Sequence, residues 1–416
     1  MNNCPPIAAT SHWQRAIILA DMNAFFAAVE QLDHPEWRGQ PIGITNGEQG
    51  SCIITCSYEA RAYGIKTGMR WREAIQLCPH LLKVPSHPYR YAAVSRNIMQ
   101  ALSTLTPDIE IYSIDEAFLD VTHCQKLWGS PDAIGQLARQ KVFEASGLLC
   151  SIGVSGDKTT AKFAAKQQKP NGLTVIPPWE AKERLKNVPV TELCGIAQGI
   201  GKFLAGYGVY TCGDMIKLPI SILAQRFGNL GRRIWLMCQG ADPETVHVGT
   251  APPKSMGHGK VMPPNTKDKA TLLIYLLHMS EKLGARLRAH TLHAQQFSIG
   301  WRSYEGWLGD KVKLPVATND GKTIYQLGQK ILQQVWRGEP VYQIQVTALD
   351  PSSAQETQYD LFFEPDHRRD KLLSVMDSIN QRYGEFTLAP TPLLHRSSMN
   401  NVIAPSWKPS GHRQTL

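Results

Sequence analysis

Two acids stand side by side in an otherwise apolar stretch, IYSIDEAFLDV (111–121): Asp115 and Glu116. Desolvating a lone carboxylate is costly unless it is paired or bound to a metal, so this pair needs a reason. The stretch is long enough for a hairpin, and adjacent residues on a regular strand point to opposite faces. The two acids can share one site only if the backbone turns there, at the tip of a sheet. A third acid, Asp21, ends another apolar run, AIILAD (16–21). Three carboxylates at strand ends form a hard-cation site. All-oxygen donors suit Mg²⁺, which is held by carboxylates together with substrate phosphates. Two such ions ~3.5–4 Å apart would clamp the attacking and leaving oxygens of a phosphoryl transfer. The plainer alternatives are an exposed turn for the acid pair and a helix cap for Asp21.

The elements that must position these acids alternate strand and helix, which indicates an α/β domain. AIILAD reads as a buried strand, and AFFAAVEQL (24–32) as a helix packed on it. SCIITCSYEARAYG (51–64) reads as a strand passing into a helix. Residues 88–105 read as an amphipathic helix with Tyr91, Val94, Ile98, Ala101, Leu102 and Leu105 on one side. Residues 133–146 read as a helix and 148–156 as a strand. From about residue 190 short glycine-broken helices follow. A Pro- and Gly-rich loop at 249–265 reads as a linker. Residues 268–348 read helix, strand, strand, helix, strand, a small α+β domain. The last stretch holds one helix, 368–384, followed by Pro-rich, polar sequence typical of a mobile end.

At 416 residues the chain should hold two to four domains of ~100–200 residues each. Hydrophobic content of 43% and charged content of 19% are those of a folded protein. The formal charge of +9 favours a polyanionic partner. Nine scattered cysteines make a poor disulfide framework and suit a reducing cytosol. Cys52 and Cys56 lack a second pair that would complete a zinc site. With no signal sequence and no run approaching ~20 apolar residues, the chain is expected to be cytoplasmic, with no membrane contact.

Four motifs occur in order: ADMNAFFAAVEQ (20–31), TCSYEARAYGIKTGM (55–69), IYSIDEAFLDVT (111–122) and KFAAKQQKPNGLTVI (162–176). Together with PKSMGHGKVMPP (253–264), they resemble the Y-family translesion DNA polymerases, in the DinB (DNA polymerase IV) branch. The resemblance covers about residues 15–385. It implies a multidomain α/β and α+β right hand: a ferredoxin-like palm (1–34 and 86–189), small fingers (35–85), a helix-hairpin-helix thumb (190–248), a linker (249–265), an α+β little finger (266–352) and a C-terminal tail (353–416). The implied activity is template-directed, distributive, low-fidelity transfer from dNTP to a primer 3′-hydroxyl, without a 3′–5′ exonuclease.

The resemblance also implies roles. Asp21, Asp115, Glu116 and the Met22 carbonyl would hold two Mg²⁺ ions, with Mn²⁺ able to substitute. Phe25 and Phe26 would line the nucleotide site, Phe26 as a steric gate against a 2′-hydroxyl; the alternative for Phe26 is a core residue. Thr55, Tyr58, Arg61 and Lys169 would grip the triphosphate. Tyr58 and Arg61 are three apart and share a helix face. Lys158, Lys162, Lys166 and Lys169 form a helical stripe that either contacts DNA or is a solvated face. In the thumb, the family's GIG is Gly195-Ile196-Ala197 here, and alanine resists positive φ where backbone should approach phosphate.

Residues 251–350 carry 13 Lys and Arg against 7 Asp and Glu, an excess suited to phosphate contacts without sequence preference. Gln358, Tyr359, Leu361 and Phe362 resemble a ligand of the bacterial sliding clamp; the alternative is a terminal strand. The implied partners are primer-template DNA, dNTP and a clamp, with the polymerase monomeric. Two rivals are a non-catalytic clamp- and DNA-binding relative and a nucleotide cyclase. The intact acid trio weighs against the first, and the thumb-like helices and basic C-terminal region against the second.

Overall fold

Strand β1 (Ile17–Met22) is apolar over most of its length because it lies in the middle of a sheet, between two antiparallel neighbours. The computed structural model describes residues 13–48, 50–354, 366–396 and 407–414. These divide into two compact units, residues 13–250 with 407–414, and residues 251–396. Gln358, Tyr359, Leu361 and Phe362 lie outside the described residues. Among the described residues no helix is long and apolar enough to cross a membrane.

In the first unit β1 is followed by α1 (Phe25–Asp33), β2 (Ile42–Thr45), β3 (Ile53–Cys56), α2 (Tyr58–Ala62), α3 (Trp71–Leu77), β4 (Leu82–Pro85) and α4 (Pro88–Ser103). Next come β5 (Ile109–Ile111), β6 (Glu116–Asp120), α5 (Gln125–Trp128), α6 (Pro131–Ser146), β7 (Cys150–Ser155), α7 (Lys158–Gln167), β8 (Leu173–Ile176) and α8 (Pro178–Leu185). The main sheet has the order β5-β6-β1-β7-β8, and a small sheet has the order β3-β2-β4. Alternation along β1 separates two cores. Ile18, Ala20 and Met22 join residues of α4 and α6 on one face, while Ile17 and Leu19 meet Ala161 and Ala165 of α7 on the other.

Helix α7 lies very close to the sheet. A Cβ on Gly153 of β7 would stand 2.0 Å from the Ala161 carbonyl oxygen and 2.4 Å from the Ala165 nitrogen. Asp157 caps α7 by accepting from the Thr160 N–H at 2.9 Å. Lys158, read as part of a lysine stripe, is instead buried. Its ammonium pairs with Glu110 at 2.7 Å and Glu244 at 3.2 Å.

Helices α9 (Gln198–Ala205), α10 (Ile220–Phe227) and α11 (Asn229–Met237) close around Leu204, Leu223, Ile234 and Met237. Ala197 caps α9 at φ −84°, while Gly195 takes the positive φ, +95°. The alanine in place of glycine therefore strains nothing in the backbone. Arg233 of α11 grips the buried Asp242 through two hydrogen bonds of 2.8 and 2.9 Å, and Asp242 also accepts from Thr159 of α7 at 2.6 Å. The helical region is thus latched to the main sheet's helix layer.

The second unit contains β9 (Ser255–Thr266), α12 (Lys269–Ala289), β10 (Leu292–Ser303), β11 (Trp307–Thr318), α13 (Gly321–Val335), β12 (Val341–Leu349), the two-residue β13 (Ser352–Ser353) and α14 (His367–Tyr383). Its antiparallel sheet has the order β11-β10-β12-β9 and packs against α12 and α13. Two sequence expectations are corrected here. The presumed linker 249–265 is mostly strand β9: Pro252 and Pro253 precede the strand, and Pro263 and Pro264 fall at the far end of this edge strand, where a missing N–H is tolerated. The helix expected at 368–384 is present as α14, but the stretch that follows it up to residue 396 is packed and not a mobile end. Arg288 pairs with Asp377, Arg369 with Asp320 and Lys282 with Glu385, and Leu393 is fully buried.

Gly153→Ala should force α7 off the sheet, because its methyl would meet backbone and not a movable side chain. The expected cost is about 3 kcal/mol, the upper part of the usual range for overpacking, read as a lowered melting temperature of the full chain.

Candidate active site

The turn that the paired acids require is present. Residues 112–115 leave β5 and re-enter the sheet at Glu116, with the Tyr112 and Ser113 N–H groups both donating to the Glu116 carbonyl, at 3.0 and 3.1 Å. Glu116 lies opposite Asp21 in the β1–β6 register, and the Met22 N–H donates to the Asp115 carbonyl at 2.9 Å. Ser95 of α4 pins the turn by donating to the Ile114 carbonyl at 2.6 Å. Like charges opposed across a strand pair repel, and the fold answers them with cations. Lys169 Nζ pairs with Asp21 Oδ1 at 2.6 Å, and Lys162 Nζ with Glu116 Oε2 at 2.6 Å. The Ser113 hydroxyl donates to Asp115 Oδ1 at 2.5 Å.

Lys169 reaches Asp21 because its loop is tied to the end of β1. Asn23 donates to Ser151 Oγ at 3.0 Å and accepts from the Asn171 N–H at 2.8 Å. Asn171 sits at φ +56°, a conformation asparagine tolerates better than most. Ala24 also takes a left-handed conformation, φ +47°, and this sharp turn starts α1 directly after β1. Phe25 then turns into the core and Phe26 stays partly exposed. Tyr91 of α4 stacks on Phe26 with centroids 4.4 Å apart and planes at 14°. The Tyr91 hydroxyl donates to buried Glu30 at 2.5 Å, and His87 Nδ1 lies 2.8 Å from the same oxygen.

One cleft of about 670 Å³ collects Asp21, Met22, Phe25, Phe26, Thr55, Arg61, Asp115, Glu116 and Lys169, with Lys162 and Lys166 beside them. That volume is within the range of small-molecule sites. Tyr58 does not line the cleft. It serves Arg61 instead, whose guanidinium lies 4.7 Å from the Tyr58 ring centroid. Ser113, Lys162, Tyr91 and Glu30 escaped assignment as site residues. Only the apolar helical period flagged Tyr91, and it gave no reason to look beyond packing.

Burial is the main force that raises the Asp115 carboxyl above its ordinary range; Ser113 opposes it, and the charge of Asp21 adds to it. Glu116 is likewise raised by burial, opposed by Lys162 and reinforced by Asp115 and Asp21. Among the described residues no three acidic, His or Cys side chains stand as a ready metal cage, since Asp21 and Glu116 each face a lysine. The donors nonetheless fit a divalent cation: they are all oxygen, half-buried, and strained by one another's charge. The lysines that balance them are flexible enough to turn to a phosphate.

Native pKa values above the unfolded ones mean that the metal-free fold keeps protons the unfolded chain releases. Its stability should fall as pH rises from the ordinary carboxylate range through the raised values. Asp115→Asn should therefore raise the melting temperature of the metal-free protein at about pH 7.5 more than at about pH 4. Any stabilisation that an added divalent cation gives the wild type should be lost in the same variant.

Residues 20–166 match the impB/mucB/samB family, and residues 253–361 match the C-terminal domain of that family. A DNA polymerase IV of Moorella thermoacetica is 33% identical over 378 residues, covering 89% of this chain and 94% of its own length. That of Bacillus anthracis is 32% identical over 391 residues, covering 92% and 93%. That of Shewanella woodyi is 40% identical over 233 residues, covering 56% and 64%. A solved chimeric Y-family DNA polymerase superposes with a TM-score of 0.71 at 27% identity, over 81% of this chain and 99% of that one. The right-hand architecture of palm, fingers, thumb and little finger is therefore that of this chain too. By matches in both of its halves and by near full-length relatives, the chain belongs to the impB/mucB/samB family of Y-family translesion DNA polymerases, enzymes that extend DNA from dNTPs with a divalent metal.

Proposed function

We propose that the cleft at the end of β1 and β6 is where this polymerase joins a dNTP to the primer, and that Asp21, Asp115 and Glu116 with the Met22 carbonyl hold two Mg²⁺ ions there. The observation that carries this reading is the meeting of all three carboxylates with Lys169, Arg61 and Thr55 in one cleft of nucleotide size. When bound, the metal supplies a more acidic primer hydroxyl and neutralises charge on the phosphates.

The chain's own residues do the rest by positioning and electrostatics. Arg61, braced on the Tyr58 ring, offers a fork of donors to phosphate oxygens. Lys169 exchanges its Asp21 partner for the triphosphate as the nucleotide arrives. Lys162 stays against Glu116 with its ammonium 4.4 Å from the Tyr112 ring centroid, and so keeps that acid oriented. The primer 3′-oxygen attacks the α-phosphorus in line, losing its proton, and the bond to the β-phosphate breaks to release pyrophosphate. Phe26 lies under the sugar and leaves no room for a 2′-hydroxyl.

Gln358, Tyr359, Leu361 and Phe362 form the proposed sliding-clamp ligand, an aromatic-aliphatic peptide of the kind that docks in a hydrophobic groove. The polymerase acts as a cytoplasmic monomer that gains length of synthesis from the clamp.

Primer extension on undamaged template with Mg²⁺ and dNTPs tests the site. The wild type should give short products, and Asp115→Ala should cut the rate at least about a hundredfold with DNA binding retained. Equal rates in the two proteins would refute the assignment. Leu361→Ala combined with Phe362→Ala should leave extension without a clamp unchanged and abolish the lengthening of products when a bacterial clamp is added.

A further inference from the structure

The chain returns to its first unit after building the second. Residues 407–414, WKPSGHRQ, pack on the same unit as β1 and α4. Trp407 is only 2% exposed and belongs to the core that contains Phe25, Tyr91 and Ile114. Its ring lies 6.2 Å from the Phe26 ring, with the planes at 58°. Phe26 thus has two aromatic neighbours beyond its own helix, the stacked Tyr91 and the tilted Trp407. The segment is anchored to α4, which also carries Tyr91: Arg96 Nη1 donates to the Pro409 carbonyl at 3.2 Å. A turn closes it on itself, with the Lys408 N–H donating to the Arg413 carbonyl at 3.3 Å and the Gln414 N–H to the Gly411 carbonyl at 2.9 Å. Trp407 Nε1 has no hydrogen-bond partner among the described residues, so packing alone fixes this ring.

Trp407 also lines the cleft of the three carboxylates, yet that cleft keeps its volume of about 670 Å³ with the segment in place. This is the arrangement of a brace and not of a plug. We propose that Trp407 is a positioning residue of the nucleotide site, fixing the Phe26 ring beneath the sugar, so that sugar selection by this polymerase depends on its returning C-terminal segment. The proposal rests on the reading of Phe26 as the sugar gate. With Trp407 in place the ring is stacked on Tyr91 at 4.4 Å and has the tilted indole at 6.2 Å. Without the indole it can turn into the vacated space and admit a 2′-hydroxyl.

The test compares single-nucleotide incorporation of dNTP and rNTP by the full-length chain and its variants. Phe26→Ala tests the gate itself and should collapse the preference for dNTP. Trp407→Ala should lower the ratio of kcat/KM for dNTP over rNTP about tenfold, equal to about 1.4 kcal/mol, mainly through a lower KM for rNTP. Trp407→Leu, which keeps apolar volume without a ring, should do the same, and Arg96→Ala should do so to a lesser degree. Trp407→Phe should restore selection, since no hydrogen bond is lost. Should Trp407→Ala not fold, the leucine and Arg96 variants decide.

If Phe26→Ala admits rNTP while folded Trp407→Leu and Arg96→Ala select as the wild type does, the brace is overturned and the gate stands. If Phe26→Ala leaves selection unchanged, the gate reading fails and takes the brace with it. A rise in dNTP kcat/KM in the Trp407 variants, with selection unchanged, would make the segment a plug and also overturn the proposal.

Discussion

Negative charge gathered at one end of a sheet is the constraint around which the first unit is arranged. Asp21 and Glu116 face each other across β1 and β6, and Asp115 occupies the turn beside them. Such a trio is unfavourable wherever water is thin, and each neighbouring feature reduces the penalty. Gly153 lets α7 approach the sheet, which brings Lys162 within reach of Glu116. The Asn23–Asn171 tie carries Lys169 to Asp21. Ser113 and Ser95 fix the turn that holds Asp115. These contacts do not offset the whole penalty: burial above all, with the acids' mutual charge adding to it, keeps the Asp115 and Glu116 carboxyls raised. The remaining imbalance is of the kind that a divalent cation can relieve.

Helix α4 ties the acid end of the site to its aromatic end. Its Ser95 holds the acidic turn, its Tyr91 stacks on Phe26, and its Arg96 binds the returning segment. Glu30 and His87 in turn fix the Tyr91 ring from behind. A ring stacked and hemmed in this way has little room to move. In this part of the molecule rigidity comes from packed rings and from hydrogen bonds to a buried acid, while in the acid cluster it comes from ion pairs.

The acids were legible in the sequence because charge inside an apolar run is anomalous on its own terms. The hairpin around Asp115 and the strand ending at Asp21 followed from period and length alone. Arg61, Thr55 and Lys169 needed the family resemblance, since an isolated Arg or Lys carries no sign of its partner. Strand β9 was misread because Pro and Gly signal a loop unless the chain is known to run along a sheet edge. Lys158 looked equivalent to Lys162 and Lys166, yet depth in the fold separates them: it is buried between Glu110 and Glu244, while Lys166 is exposed. Trp407 was illegible for a simpler reason. It lies 381 positions beyond Phe26, in polar, Pro-rich sequence that gives no local hint of burial.

The order in which the chain is made gives that return contact a further meaning. A ribosome releases β1, α1 and α4 first, then the entire second unit, and only afterwards the segment bearing Trp407. Domains fold as they emerge, so the sheet, the acids and the Phe26 ring can all be in place while the indole is still unmade. A chain stopped before that segment would then present the carboxylate cleft and the Phe26 ring without the indole beside them. In this topology the Phe26 ring meets its last aromatic neighbour only after the whole second unit has been made.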